Sequence, residues 1–227
     1  MKKTLYLFLL IFLITGLINA QTDSSNKSVK KYRLFSSVGI LVGSDLSSLS
    51  GDSPEDVSYG VKPGYMAGVS VEFNITKDFK LLFQPVYSMR FTKALFDTGE
   101  KELVDSMRLK FEYIRFPLTV KINALNGVTY FLGGIDPGYL LSSSLYDKEK
   151  INGEKDIINS LNRFDVSILF GFGVNFRLAS NFLYLELRYE QSLLNMSKNE
   201  ENGATNNLPA RFRLGGFQLL TGFNFSL

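Results

Sequence analysis

The feature that most constrains this chain is a side-chain alternation with period two. It is clearest from Phe164 to Leu178. There the even positions Phe164, Val166, Ile168, Phe170, Phe172, Val174, Phe176 and Leu178 are all apolar. The odd positions Asp165, Ser167, Gly171, Gly173, Asn175 and Arg177 are small or polar, with Leu169 the exception. A helix would scatter these residues around its circumference, whereas a strand sends one set to each face. The same test marks strands at 34–44, 64–76, 79–92, 107–123, 183–190 and 210–227, and a less regular one at 127–144. The sequence therefore predicts an all-β fold of about eight strands.

Two of these segments change phase midway. Leu109, Phe111 and Tyr113 are followed by Ile114, Phe116, Leu118, Val120 and Ile122, and Phe212 and Leu214 by Phe217. A one-residue slip moves every side chain to the other face, so the pattern predicts β-bulges near Tyr113–Ile114 and Gly215–Gly216. Connections alternate in length. Lys77-Asp78, Ala124-Leu125-Asn126 and Ala179-Ser180-Asn181 are tight, and Asn126-Gly127 is a hairpin signal. Stretches of about 45–63, 93–106, 145–161 and 196–209 read as long polar loops. Short turns at one end and long loops at the other predict a closed up-and-down barrel, with both termini at the turn end.

The N-terminus carries Met1-Lys2-Lys3, an apolar run from Leu5 to Leu13, and a small residue, Ala20, before Gln21. This order predicts a secretory signal peptide over 1–20, followed by a flexible polar leader at 21–33 and a barrel from 34 to 227. The run is too short for the roughly 20 residues of a spanning helix. With the two lysines of that segment removed from a net charge of +3, about +1 remains. That gives no electrostatic case for nucleic acid. The chain has no Cys and no His, which excludes disulfides and removes the commonest general base and metal ligand. No catalytic, metal or cofactor residue is expected, and the acidic stretches 51–56 and 148–156 read as solvated loops.

The face opposite the bulky files carries Gly, Ser and Asn together with Asp165, Arg177, Gln218 and the seven charged residues Glu72, Arg90, Arg115, Lys121, Glu186, Arg188 and Glu190. A soluble barrel would bury the greasy files and expose the charges. Here the glycine-rich charged face suits a crowded lumen, and the bulky files suit lipid. Charges of both signs in a narrow lumen are tolerable only when paired, so these seven residues are expected to form a structural polar network rather than a catalytic site. By count from the tight turns, Glu72, Arg115, Glu186, Arg188 and Glu190 are expected at similar mid-heights.

Several stretches together carry a family resemblance: Lys62-Pro63-Gly64-Tyr65-Met66-Ala67-Gly68, the hairpin from Phe73 to Ser88, Phe111-Glu112-Tyr113-Ile114-Arg115-Phe116-Pro117-Leu118, Tyr130-Phe131-Leu132-Gly133-Gly134 and Leu185-Glu186-Leu187-Arg188-Tyr189. From Leu34 to Leu227 the chain resembles the outer-membrane β-barrel domain family, labelled porin family or PorT-like, of Gram-negative bacteria. The resemblance implies an eight-stranded barrel of the OmpA and OmpX architecture, located in the outer membrane. The terminal Phe223-Asn224-Phe225-Ser226-Leu227 resembles the final strand read by barrel-assembly machinery, although it ends in Leu rather than Phe. Barrel enzymes of this architecture rely on a His, so the resemblance points away from catalysis. The expected function is a non-enzymatic, monomeric barrel in membrane lipid, with a plugged polar lumen and four displayed loops. The alternatives are a small passive channel and an accessory subunit of a secretion system.

Overall fold

In the computed structural model, residues 34–51, 57–97, 103–147, 154–198 and 211–227 are described. The segments expected as signal peptide and leader lie outside them, as do most of the acidic stretches 51–56 and 148–156. Arg33–Leu227 forms one compact unit. Its strands are β1 (Phe35–Gly51), β2 (Val57–Asn74), β3 (Phe79–Phe83), β4 (Val86–Asp97), β5 (Leu103–Arg115), β6 (Leu118–Ala124), β7 (Thr129–Asp147), β8 (Glu154–Asp156), β9 (Phe164–Leu178), β10 (Asn181–Ser192) and β11 (Phe212–Ser226).

β3 with β4, and β5 with β6, each make one stave of the barrel. The stave is broken at Gln84-Pro85 in the first case and at Phe116-Pro117 in the second, because proline cannot donate to the ladder. The freed groups are used locally: the Gln84 amide donates to the Pro117 carbonyl at 3.0 Å, and the Phe116 amide to that of Pro137 at 2.9 Å. Eight staves therefore run up and down, each antiparallel to its neighbours. β1 pairs with β11 from Ser37↔Ser226 to Gly51↔Phe212, and this seam closes the ring. Closure removes the exposed edge that an open sheet would carry.

The three turns follow their sequence signals. Thr76 Oγ1 accepts from the Phe79 amide at 3.1 Å, and Leu125–Gly127 forms a 3-10 turn. Leu125, Gly127 and Ala179 take left-handed backbone with φ of 46°, 85° and 56°. The opposite ends differ from expectation. β1 continues to Gly51, β2 begins at Val57, β4 reaches Asp97 and β5 begins at Leu103. The first two loops are therefore much shorter than the polar composition suggested. Polar residues such as Ser47 and Ser48 belong to strands that continue beyond the apolar band.

The length of the staves explains this. β7 has 19 residues. At about 3.3 Å per residue it runs roughly 60 Å, far more than a tilted strand needs to cross an apolar band about 25 Å tall. The bulge near Gly215–Gly216 is absent, and β1 pairs with β11 in continuous register through it. Near Tyr113–Ile114 the register does shift, but the extra residue is Leu141 on β7, between the pairs Glu112↔Ser142 and Tyr113↔Leu140.

The strands β5 and β11 themselves keep their phase. Leu109, Phe111, Tyr113, Arg115, Thr119 and Lys121 all face inward, as do Phe212, Leu214, Gln218, Leu220 and Asn224. What changes is polarity. Below Glu112 the wall is apolar outside and carries the charged groups inside, interleaved with small apolar clusters at Leu41, Met66, Val86 and Leu220 and at Leu132 and Leu169; above it, the wall is largely polar outside and apolar inside. A barrel that leaves the bilayer for water must invert in this way, since lipid rewards greasy exteriors and water rewards greasy interiors.

Glycines allow the lumen to pack. A Cβ on Gly173 would lie 2.3 Å from Cζ of the Tyr130 ring, and one on Gly222 would lie 2.5 Å from that of Tyr184. Each tyrosine thus lies flat across a neighbouring strand. Gly173→Val should displace Tyr130 and cost about 1–3 kcal/mol by overpacking. Urea unfolding of the refolded barrel would measure this, and an unchanged midpoint would show that Tyr130 has room to move.

Candidate functional site: the lumen and its two storeys

The seven charged residues singled out above are all buried, at 1–3% exposure. They occupy three levels along the barrel axis rather than one common mid-height. At the turn end, Glu72 on β2 accepts from Lys121 on β6 at 2.6 Å and from Lys80 on β3 at 2.9 Å. Lys121 Nζ also sits 3.9 Å from the centroid of the Tyr130 ring, a cation–π contact. This lowest level opens into a cavity of about 330 Å³ lined by Asn123, Asn175 and Arg177 as well. Arg177 itself is exposed at the rim, where its Nε donates to the Ala179 carbonyl at 3.2 Å.

At the middle level, Glu186 and Arg188 pair with each other along β10, which the two-residue repeat of a strand permits. Tyr130 donates to Glu186 Oε2 at 2.8 Å, and Arg188 reaches Gln84 on the far wall. At the upper level, Glu190 is the hub. Arg90 Nη2 of β4 lies 2.5 Å from its Oε2, while Arg115 at the end of β5 and Gln218 of β11 also donate to it. Arg90 Nη2 additionally lies 3.2 Å from Asp45 Oδ2, and Arg115 Nε lies 3.0 Å from Asp136 Oδ2. These side chains cross the lumen from wall to wall, so Arg90 and Arg115 each face carboxylates from two strands.

Above this level the lumen becomes apolar. Leu49, Leu109, Phe111, Leu140, Leu145, Phe212 and Leu214 form a core with Ile157, Ile158, Leu161 and Met196 from the segments beyond β8 and β10. Those segments continue the wall: the Ile157 amide donates to the Ser143 carbonyl at 3.1 Å, and the Met196 amide to that of Phe212 at 2.9 Å. Tyr113 forms the partition. Its ring lies 5.9 Å from the Arg90 guanidinium carbon and 5.6 Å from that of Arg115, and its hydroxyl meets Met196 Sδ at 3.4 Å. Tyr59 packs against the same core.

Sequence reasoning missed Asp45, Asp136, Gln84 and Lys80 as members of the lumen network. Asp45 lay in a stretch read as loop, and Asp136 on the one strand whose facing was ambiguous. The signal that could have found the two aspartates is electroneutrality, because Arg90, Arg115 and Arg188 together need more carboxylate than Glu186 and Glu190 supply; Gln84 and Lys80 share the alternation face of Arg90, which is the signal for them. Among the described residues, no group of three or more His, Cys, Asp or Glu is placed to hold a metal.

The exterior completes the picture. Ile40, Val42, Val69, Val120, Phe172, Leu185, Leu187 and Leu219 point outward and are exposed. Aromatic residues gather at both margins of this belt. Phe35 and Phe73 meet at 5.0 Å at the turn end, while Phe170, Tyr189 and Phe217 form a row with centroids 5.3 and 5.2 Å apart nearer the loop end. An apolar belt with aromatic girdles around a closed eight-stave ring defines an integral outer-membrane β-barrel.

The chain belongs to the outer membrane protein beta-barrel domain family, whose family model matches residues 19–198. The outer membrane is its location. No curated protein matches it. Among solved structures it is similar to the attachment invasion locus protein Ail of Yersinia pestis, in complex with the heparin analogue sucrose octasulfate. Identity there is 19%, coverage is 84% of this chain and 99% of that one, and the TM-score is 0.43. It is also similar to Neisserial surface protein A, at 13% identity, 84% and 97% coverage and a TM-score of 0.47. A third is OprG of Pseudomonas aeruginosa, at 10% identity, 85% and 94% coverage and a TM-score of 0.43.

Proposed function

We propose that the protein is a non-enzymatic structural or surface-interaction barrel whose lumen is plugged and whose four loop-end connections are displayed outside the cell. One observation carries this reading: the Arg90–Glu190–Arg115 bridge spans the lumen beneath a continuous apolar core. An eight-stranded interior has room only for side chains, and here they are charged and paired below and greasy above. An ion would have to break buried ion pairs and then cross an apolar layer. The seven charged residues are therefore structural in this proposal, holding opposite walls at fixed separation.

The seam between β1 and β11 closes the ring through the lipid-facing part of the wall, which supports a monomer. Phe223 and Phe225 lie on the outward face of the last strand with centroids 4.9 Å apart, an aromatic patch open to barrel-assembly machinery during insertion. Recording from planar lipid bilayers tests the plug. Purified protein should give no stable stepwise conductance above the lipid baseline. Reproducible unitary steps would overturn the reading in favour of a small passive channel.

A further inference from the structure

The inversion of polarity marks where the bilayer ends on the wall, and just above that line the exterior is basic. Lys93, Arg108, Lys110, Arg163, Lys198 and Arg213 stand there on five different segments. Glu112, at the same height, is engaged by Lys110, whose hydrogen bond holds its carboxyl below the ordinary carboxylate range.

At one place this collar is shaped into a cleft of about 620 Å³. Its floor is apolar and aromatic, made by Tyr139, Phe164 and Leu194. Its rim is Arg163 and Lys198 with Asn162 and Asn195. Tyr139 pairs with Ile114, the first apolar outward residue below Glu112, so the floor lies at lipid depth and the rim above it. The rim is held in place. Asn162 Nδ2 donates to the Asn195 carbonyl at 2.9 Å and the Ser197 carbonyl at 3.2 Å, and the Lys198 amide donates to the Ser160 carbonyl at 3.1 Å. Lys198 Nζ reaches the Asn159 carbonyl at 3.3 Å, a neutral acceptor, and among the described residues no carboxylate forms an ion pair with it.

We propose that this cleft binds the phosphorylated head group of an outer-leaflet glycolipid, with Arg163 and Lys198 on the phosphate and the upper acyl chain against Tyr139, Phe164 and Leu194. Two cations suit a phosphate, and the guanidinium can hold it with two parallel hydrogen bonds. A free anion would satisfy the rim but would leave the greasy floor uncovered. A neutral lipid would cover the floor and leave two cations unmatched. Only an anionic amphiphile at this depth satisfies both. Short turns face the periplasm in such barrels, which puts the cleft in the outer leaflet.

The test is native mass spectrometry of the full chain in detergent, titrated separately with bis-phosphorylated lipid A, dephosphorylated lipid A and inorganic pyrophosphate. The wild type should retain one phosphorylated lipid A at least tenfold more strongly than the dephosphorylated form, and pyrophosphate should not displace it. The double variant Arg163→Gln with Lys198→Gln should lose this preference. Arg108→Gln with Lys93→Gln, the same charge change elsewhere on the collar, should keep it within twofold. Arg163→Lys with Lys198→Arg should restore it. Gel mobility with and without boiling reports whether each variant is a folded barrel. Equal retention by the two double-glutamine variants, equal binding of dephosphorylated lipid A, or displacement by pyrophosphate would each overturn the proposal.

Discussion

Replacing Glu190 with Gln should remove about 3–5 kcal/mol from the stability of the barrel. Glu190 is the shared partner of Arg90, Arg115 and Gln218, and it is buried at the centre of the upper lumen. The substitution keeps the shape and deletes the charge, so of the carboxylates paired with the two buried guanidiniums Asp45 and Asp136 remain. Removing one partner of a buried ionic cluster is costly because the remaining charge stays desolvated. The new amide also turns N–H groups toward N–H groups. Against a total stability of about 5–15 kcal/mol, this is a large fraction. Urea unfolding in lipid vesicles, followed by far-ultraviolet circular dichroism, would measure it; the chain has no Trp to report by indole fluorescence. Adding Arg115→Met to the variant should recover more than about 1 kcal/mol, since the two residues share one network. A single variant within about 0.5 kcal/mol of wild type would show that Glu190 does not hold the walls together.

Leu185→Arg should cost about 2–4 kcal/mol, the penalty for a cation facing lipid near the bilayer midplane. Leu185 is outward on β10, midway between the tight turn at Ala179 and the level of the inversion, and it pairs with Val174 and Thr221. Its counterpart is Ser50→Arg. Ser50 is also outward and exposed, but it sits at the far end of β1, opposite Arg213. There the new side chain meets water, and the change should cost less than about 1 kcal/mol, its one penalty being the like charge of Arg213 opposite. The contrast between two exposed sites on one wall is the signature of a membrane boundary between them. Unfolding from vesicles of defined lipid thickness would measure both. Equal costs at Leu185 and Ser50 would place that boundary elsewhere.

Much of the barrel was legible in the sequence because strands report their faces directly. The file from Phe164 to Leu178 on β9, and Leu183, Leu185 and Leu187 on β10, needed only the period of two. The tight turns were legible too, since Asn126-Gly127 carries its own turn chemistry. Two things were obscured, both by the same physics. Alternation reveals which residues share a face, but naming the face requires knowing the solvent outside it. Where β5 and β11 leave lipid for water, the apolar set moves from the outer face to the inner one, and this mimics a bulge at Tyr113–Ile114 and Gly215–Gly216. The same exchange made the polar tops of β1 and β2 look like loop. Within the lumen, Glu186, Arg188 and Glu190 were legible on one strand. Their partners Gln84, Asp45 and Asp136 come from other staves, and pairing across a ring depends on registers that no single strand encodes.

The seam between β1 and β11 has a bearing on how the molecule is made. Phe35 and Ser226 belong to strands that are neighbours in space and are separated by almost the whole chain. Contacts of such high sequence separation are slow to form, because the loop they close must be ordered first. Any product that stops short of β11 has bare amides on both flanks, in a medium that offers them no water. Insertion should therefore be all-or-none: the chain cannot settle stave by stave into the bilayer, and should stay in water until the fifteen residues of β11 are there to close the ring.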